Sequence, residues 1–459
     1  MTKRRRKPGL TPPSRAPRRG ARARRERRRG VALVIAITAI AILGVLLADM
    51  HRSTTTGYVV ATTQRDSLRA EYMAKSGLNL TRLLVSQEPA IRQLVAPLYR
   101  SLVGRPPPQL PVWRYANLVL APFCHHERTA DEVGSIDFRT AEGLSDLPGT
   151  CDVVAFAENS KINLNRPLLI AGDDAKLSLA QQLFAMMGGY QSPSPYDSLF
   201  GVQDAQGLFN TRQDIVSAII DWWDEDVDQL SFDPGANAVS TVGSENDVYR
   251  RFKDPYSIKN APFDSLEELR LIRGIDDEFW ATFIEPNPEN PESRIVTIYG
   301  SGMVNPNEAP PEVLLARVCS FIPATTLCVD PLEGMRFVQL LRTIRDLVPV
   351  PFFTRSSDFL NFIEGKGSAR DLYPMLQSYL GAESGMLFMP VEVPANLRAE
   401  MNRSFVTSAQ ILTIEVTGTV NRAKTKIRTV MNFHDRWTPP PPLTGTMPGL
   451  GIFHYYRVE

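Results

Sequence analysis

Catalytic signatures are what this chain lacks. Its 459 residues include only five histidines and four cysteines. They form no G-x-S-x-G nucleophile turn and no H-E-x-x-H pair, and Gly365-Lys366-Gly367 lacks the preceding glycine that a phosphate loop requires. Cys124-His125-His126 places a thiol beside two adjacent imidazoles with no third group to hold a base, so a loop position beside a disulfide is the better reading. These absences point away from an enzyme. Net charge is also small, at +1, but it hides a division. Residues 1–30 hold 14 of the 51 Lys and Arg against one acid, and the rest carries 37 bases against 49 acids, a net of −12. An acidic body repels phosphate backbones, which argues against a nucleic-acid binder and makes the basic start a topology signal. What remains is ordinary: 43% hydrophobic and 8% aromatic residues suit a folded protein of about three domains, and 36 prolines against 29 glycines imply many stiff connections.

Long apolar runs are absent except once. Val31 to Ala48 (VALVIAITAIAILGVLLA) holds eighteen residues without a charge, closed by Asp49. As a helix it rises about 27 Å, near the hydrocarbon thickness of a bilayer. Arg27-Arg28-Arg29 on its N-terminal side should hold that end in the cytoplasm and send the acidic body across the membrane. A cleavable secretory signal would have a shorter apolar core and a better small-residue site than Leu46-Leu47-Ala48. Ser67 to Leu84 continues in a helical pattern with no proline before Pro89, loosened around Gly57.

The leader ending in Gly30, the start Arg29-Gly30-Val31-Ala32-Leu33-Val34 and the later string Arg69 to Gly77 (RAEYMAKSG) resemble prepilin-type proteins, in particular the large minor pseudopilin K of type II secretion systems. The resemblance implies cleavage between Gly30 and Val31 by a prepilin peptidase. Most pilins carry glutamate at the fifth mature position, which here is Ile35, and the K subunit is the member that lacks it. A carboxylate inside the bilayer is costly unless paired, and in the family it pairs with the amine of the subunit already assembled. A subunit placed first, at the tip, has no such neighbour.

In the body, Cys124, Cys151, Cys319 and Cys328 form two sequence couples with 26 and 8 intervening residues. Neither spacing is a zinc motif. Pairing within each couple suits an exported domain, although four thiols permit three connectivities and four buried free thiols are the alternative. Cys151 to Asn165 reads as two alternating runs around Glu158-Asn159-Ser160-Lys161, a hairpin signal. Asn-x-Asn at 163–165 returns at 305–307, each placed to close an extended stretch and cap a following helix. By resemblance these two places mark the edge and the interior of a large helical domain inserted into the pilin fold.

Thr211 and Asp214 form a capping box ahead of an apolar stripe, Ile215, Ile219 and Trp223, widened by Val216 and Ile220. The helix ends in an acidic run, Asp224, Asp226 and Asp228, with Asp221 one turn earlier. Gln229 and Gly235 occupy the positions where a helix-loop-helix calcium loop needs glycine and glutamate. The pattern therefore favours a solvated acidic helix end, with a calcium site completed by distant ligands as the alternative. Strings of the form D-W-x-D-x-D occur at this place in pseudopilin K.

Ser265 to Glu268 opens a helix-hairpin-helix pattern that turns at Arg273-Gly274-Ile275 and runs on through Phe279, Trp280, Phe283 and Ile284. Asp276, Asp277 and Glu278 stand where a phosphate would approach, so the hairpin is structural. Pseudopilin K contains such a hairpin. Ser404 to Phe433 reads as antiparallel strands turning at Asn421 to Lys424, which by resemblance join strands near Val153 and Ile162 in the pilin sheet. Residues 321–400 read as further helix, and the tail from Arg436, with Pro439 to Pro442, as extended and mobile.

The expected fold is α+β: a basic leader at 1–30, a membrane helix at 31–48 continuing at 49–88, sheet at 89–166, a helical insert at 167–400, closing strands at 401–435 and a tail at 436–459. The resemblance implies a non-enzymatic inner-membrane subunit that caps the pseudopilus tip. Its partners would be two smaller minor pseudopilins, the major pseudopilin, the prepilin peptidase and secreted cargo, with no nucleic acid. A type IV pilus minor pilin and a DNA-uptake protein are the alternatives.

Overall fold

A single helix, α1 (Gly20–Val103), contains the apolar run and continues to residue 103. The computed structural model describes residues 20–124, 132–133, 136–137, 149–165, 172–203, 207–347, 351–367, 371–380, 385–433 and 449–459. The leader before Gly20, His125, His126, Arg166-Pro167 and Pro439 to Pro442 lie outside them. Two compact units divide the chain, Met1–Leu68 and Arg69–Glu459. Along α1 the hydroxyls of Thr38, Thr54, Thr55, Thr62 and Thr63 donate to carbonyls three or four residues earlier, so the helix satisfies its own polar side chains.

The helix does not loosen at Gly57, since an isolated glycine costs only about 1 kcal/mol in a helix. Nor does it stop at residue 88; it passes through Pro89 and Pro97. Its far end is fastened from outside: buried Glu88 accepts the Leu110 amide at 2.9 Å, and Tyr99 Oη donates to Pro351 O at 3.1 Å. These bonds offset what the prolines remove.

Beyond α1 come a 3-10 turn (Val112–Tyr115), α2 (Ala116–Cys124), β1 (Thr150–Ala157) and the two-residue β2 (Ile162–Asn163). Then follow α3 (Asp173–Met186), α4 (Arg212–Trp223), β3 (Asp228–Asp233), β4 (Ala238–Ser244) and β5 (Val296–Thr297). The next stretch is helical, as expected: α5 (Pro311–Phe321), α6 (Pro331–Leu347), α7 (Ser356–Ile363), α8 (Leu372–Leu380) and α9 (Ala395–Arg403). The chain returns as β6 (Ile411–Val420), β7 (Ala423–Asn432) and β8 (Ile452–Val458). The sheet order is β8-β7-β6-β1, antiparallel throughout. β6 and β7 turn at Asn421, whose φ of 53° suits asparagine. β8 corrects the expectation of a mobile tail: Arg82 donates to Leu450 O at 3.0 Å and lies 4.9 Å from the centre of the Phe453 ring.

Glycine and alanine set how closely α1 approaches the sheet. A Cβ at Gly418 would sit 2.0 Å from Ala70 O and 2.8 Å from Ala74 N, and one at Gly77 2.9 Å from Val416 Cγ1. The core beneath includes Trp113, Leu120, Leu412, Ile414, Val416 and Met431. The Cys124–Cys151 disulfide joins α2 to β1. A second core fills the insert, where Cys319–Cys328 ties α5 to the turn before α6. Both pairings join sequence neighbours.

The expected hairpin at 158–161 is absent. Glu158, Asn159, Ser160 and Lys161 are all buried. β1 pairs with β6, while β2 pairs in parallel with β5 inside the insert, so Ile162 does not belong to the four-stranded sheet. Polar residues that imitate a turn here form the seam between the two cores. Glu158 accepts from Thr413 and Thr297, each at 2.5 Å, and lies 3.6 Å from Lys161 Nζ. Lys161 Nζ sits 4.2 Å from the centre of the Phe156 ring. Asn159 Oδ1 accepts the Gln410 and Ile411 amides, and its carbonyl accepts the Asn305 amide.

The two Asn-x-Asn strings cap no helix; the N-cap residues of α3 and α5 are Gly172 and Pro310, which make no side-chain cap. In each string the first Asn Oδ1 accepts the amide of the second. The second Asn then brackets a phenylalanine backbone through both its amide and its carbonyl: Asn165 on Phe263, Asn307 on Phe353.

Candidate functional site

The Thr211–Asp214 capping box forms, and the apolar face of α4 packs inward through Ile215, Val216, Ile219, Ile220 and Trp222. Trp223 lies half-buried, donating its indole N–H to Asn165 O. This orientation carries Asp221 and Asp224, at the end of α4, into the interior at 4% and 5% exposure. Glu245, just after β4, arrives from the other side at 3%. One oxygen from each of the three lies within 4.8 Å of the others. Oxygens on opposite sides of a calcium ion, at about 2.4 Å from it, stand about that far apart.

The surroundings are partly satisfied. Asp221 Oδ1 accepts the Leu230 amide at 2.8 Å, which pins β3 to α4. Glu245 Oε2 accepts from Asn260 Nδ2 at 3.1 Å. Asp224 Oδ1 and Glu245 Oε1 are buried with no donor from outside the cluster, so only a proton shared between the two carboxyls or a cation can satisfy them. Lys176 on α3 places Nζ 2.7 Å from Asp224 Oδ2 and 2.6 Å from Asp226 Oδ2. Burial, aided by Asp224, pushes the Asp221 carboxyl up to about 8. Burial, with Asp221 and Asp224 adding, pushes Glu245 to about 8 as well. Burial also raises Asp224. Asp226 is lower than usual, because Lys176 and the Asp228 amide outweigh its slight burial. Buried carboxylates that repel one another in this way take either protons or a cation, and an all-oxygen set suits a hard divalent ion.

Of the four acids named from sequence, the structure brings Asp221 and Asp224 together, so the picture of a wholly solvated helix end fails for these two. Asp226 stays exposed and pairs with Lys176 instead of joining the cluster, and Asp228 is exposed. Glu245 was not legible, because its approach depends on the β3–β4 hairpin returning to α4.

Val31 and Ile35 lie exposed on α1, which includes Gly30. At the Arg273-Gly274-Ile275 turn, Gly274 has φ of 77° and a Cβ there would meet Ile215 Cγ1 at 2.8 Å. The glycine serves close packing on α4. The arms of this turn are a six-residue 3-10 helix (Leu266–Leu271) and an α turn widening into a π-helix (Asp277–Ile284), in place of two full α-helices. Asp276 caps the second arm by accepting the Phe279 amide at 2.8 Å.

Among the described residues one helix, Val31–Ser101, is long and apolar enough to cross a membrane, with a mean hydropathy of 3.0 in its most apolar window. It suggests a single-pass anchor. No curated protein matches the chain. A chain of the crystal structure of the GspK-GspI-GspJ complex from the enterotoxigenic Escherichia coli type 2 secretion system is similar at 13% identity and a TM-score of 0.39, covering 68% of this chain and 80% of that one. Residues 160–284 match the family model for type II secretion system protein K. That segment contains Lys176 and all three clustered carboxylates.

Proposed function

We propose that this chain is a minor pseudopilin that caps the tip of the secretion pseudopilus and is needed there for export across the outer membrane. It would sit in the inner membrane, N-terminus in the cytoplasm and body in the periplasm. The observation that carries the reading is the membrane segment itself: no carboxylate occurs from Val31 to Ala48, and Ile35 occupies the position where other pilins place glutamate. Such a subunit needs no earlier neighbour's amine, while its own amine at Val31 attracts the next subunit. The insert between β1 and β6 is too bulky to repeat along a tightly packed fibre. The partners are those that the sequence resemblance implies: two smaller minor pseudopilins, the major pseudopilin, the prepilin peptidase and secreted cargo. A type IV pilus minor pilin would share the anchor, but the match over 160–284 favours secretion.

Made together with a prepilin peptidase, the chain is expected to start at Val31 on N-terminal sequencing. A start near Asp49 would remove the assembly reading, since the apolar helix would be gone. Labelling the insert and imaging sheared pseudopili tests the tip: label is expected at one end, and label along the fibre would overturn the placement.

On the same reading the cluster of Asp221, Asp224 and Glu245 binds calcium. Without calcium the folded cluster holds protons that the unfolded chain releases above about pH 4. Stability therefore falls as pH rises toward the raised value of about 8 for Asp221 and Glu245. Calcium displaces those protons, so it should raise the melting temperature more at pH 8 than at pH 6. Equal melting temperatures in calcium and in chelator at both pH values would exclude the site.

A further inference from the structure

The cluster already contains a cation. Lys176 Nζ lies within 2.7 Å of one oxygen of Asp224 and 2.6 Å of one of Asp226, with the lysine side chain 12% exposed. Its ammonium faces the acidic end of α4 from α3 and pairs with no other carboxylate among the described residues. Against it stand the three buried acids, of which Asp224 Oδ1 and Glu245 Oε1 have no donor from outside the cluster. The other hydrogen-bond donors nearby are neutral, the Leu230 amide on Asp221 and the Asn260 amide on Glu245 and on the Asp226 carbonyl, while the Arg273 guanidinium acts on Asp221 only at longer range.

We propose that Lys176 is a tethered counter-ion that lets the carboxylate cluster fold without metal and competes with a divalent cation for Asp224. This rests on the calcium reading for its second half only. A lysine amine offers three N–H donors and a point charge on a flexible stem, so it can neutralise a carboxylate oxygen and yield it when a doubly charged ion arrives. On binding, the ion would share Asp224 with an ammonium of like charge, and that repulsion lowers its affinity. Lys176 then sets the concentration of calcium at which the site fills. It also links α3 to the start of β3, because Asp226 Oδ1 accepts the Asp228 amide at 3.0 Å while Oδ2 takes the lysine.

The test compares the full-length chain in detergent with Lys176→Met and Lys176→Arg, using calcium chloride in isothermal titration and thermal melts in chelator. Lys176→Met should bind calcium on the order of tenfold or more tightly, since one unit of positive charge a few ångströms from the ion is gone. Without metal it should melt below the wild type, and calcium should restore it. Lys176→Arg, which keeps the charge, should stay near the wild type in both measurements. Unchanged or weaker calcium binding in Lys176→Met would overturn the competition, and an unchanged melt in chelator would overturn the counter-ion role. If no variant binds calcium, the calcium reading fails and with it the competition, while a lowered melt of Lys176→Met in chelator would still support the counter-ion. A Lys176→Met chain that stays unfolded even in calcium would overturn the exchange of ammonium for metal.

Discussion

Gly418→Ala should destabilise the body by about 3 kcal/mol or more, the upper end of what over-packing costs. The new methyl group would stand 2.0 Å from the Ala70 carbonyl and 2.8 Å from the Ala74 amide, both backbone atoms of α1. Neither can turn aside as a side chain does, so the helix must lift from the sheet and open the contacts of Ala74, Leu78 and Val416. Gly57→Ala is the control, because nothing lies within 4 Å of that position; it should be neutral or stabilise α1 by up to about 1 kcal/mol. Urea unfolding of the full chain in detergent, followed by circular dichroism, compares the two. A Gly418→Ala midpoint equal to that of the wild type would show that α1 does not depend on this approach.

Removing Glu158 should cost about as much, by a different route. Its carboxylate holds Thr413 on β6 and Thr297 on β5 and faces Lys161, a residue only 2% exposed. Glu158→Ala leaves a buried lysine without its partner, which typically costs about 3–5 kcal/mol. Burial lowers the lysine's pKa, so part of the loss is relieved when it sheds its proton. The double variant Glu158→Met, Lys161→Met should recover much of the stability, since the apolar pair carries no unmatched charge. Because Glu158 bonds to both cores, its loss should also split one unfolding transition into two. Proteolysis with insert-specific detection reads this directly; a single unshifted transition in Glu158→Ala would show that the cores do not depend on this residue.

The most legible elements were those whose causes are local. The membrane helix follows from eighteen uncharged residues, α4 from Thr211 and Asp214, and the β6–β7 turn from Asn421, which tolerates positive φ. Three failures share a long-range cause. Glu158 to Lys161 has the composition of a turn, and only partners 139 and 255 residues away along the chain make it an interior segment. β8 follows a proline-rich stretch and is strand because β7 offers it an edge. Asn165 and Asn307 carry the right chemistry for caps, but backbone groups of Phe263 and Phe353 compete for the same atoms and win. The cation site was half visible for the same reason: Asp221 and Asp224 lie one turn apart on a helix, while Glu245 reaches them through a hairpin.

The seam at Asn159 also bears on how such a chain can grow. Ala157 is paired with Leu412, and Asn159 holds the Gln410 and Ile411 amides, so residues far apart in number stand as neighbours across a tight loop. A plain β1–β6 hairpin would need only Glu158, Asn159, Gln410 and Ile411 at its tip. Everything from Ser160 to Ala409 hangs from that tip, entering and leaving at adjacent points. Because closing a longer loop costs only about 0.6 kcal/mol for each doubling of its length, the sheet is nearly indifferent to how much chain is threaded through the gap. Chain could therefore be added to or removed from the insert while the four-stranded sheet stays unaltered.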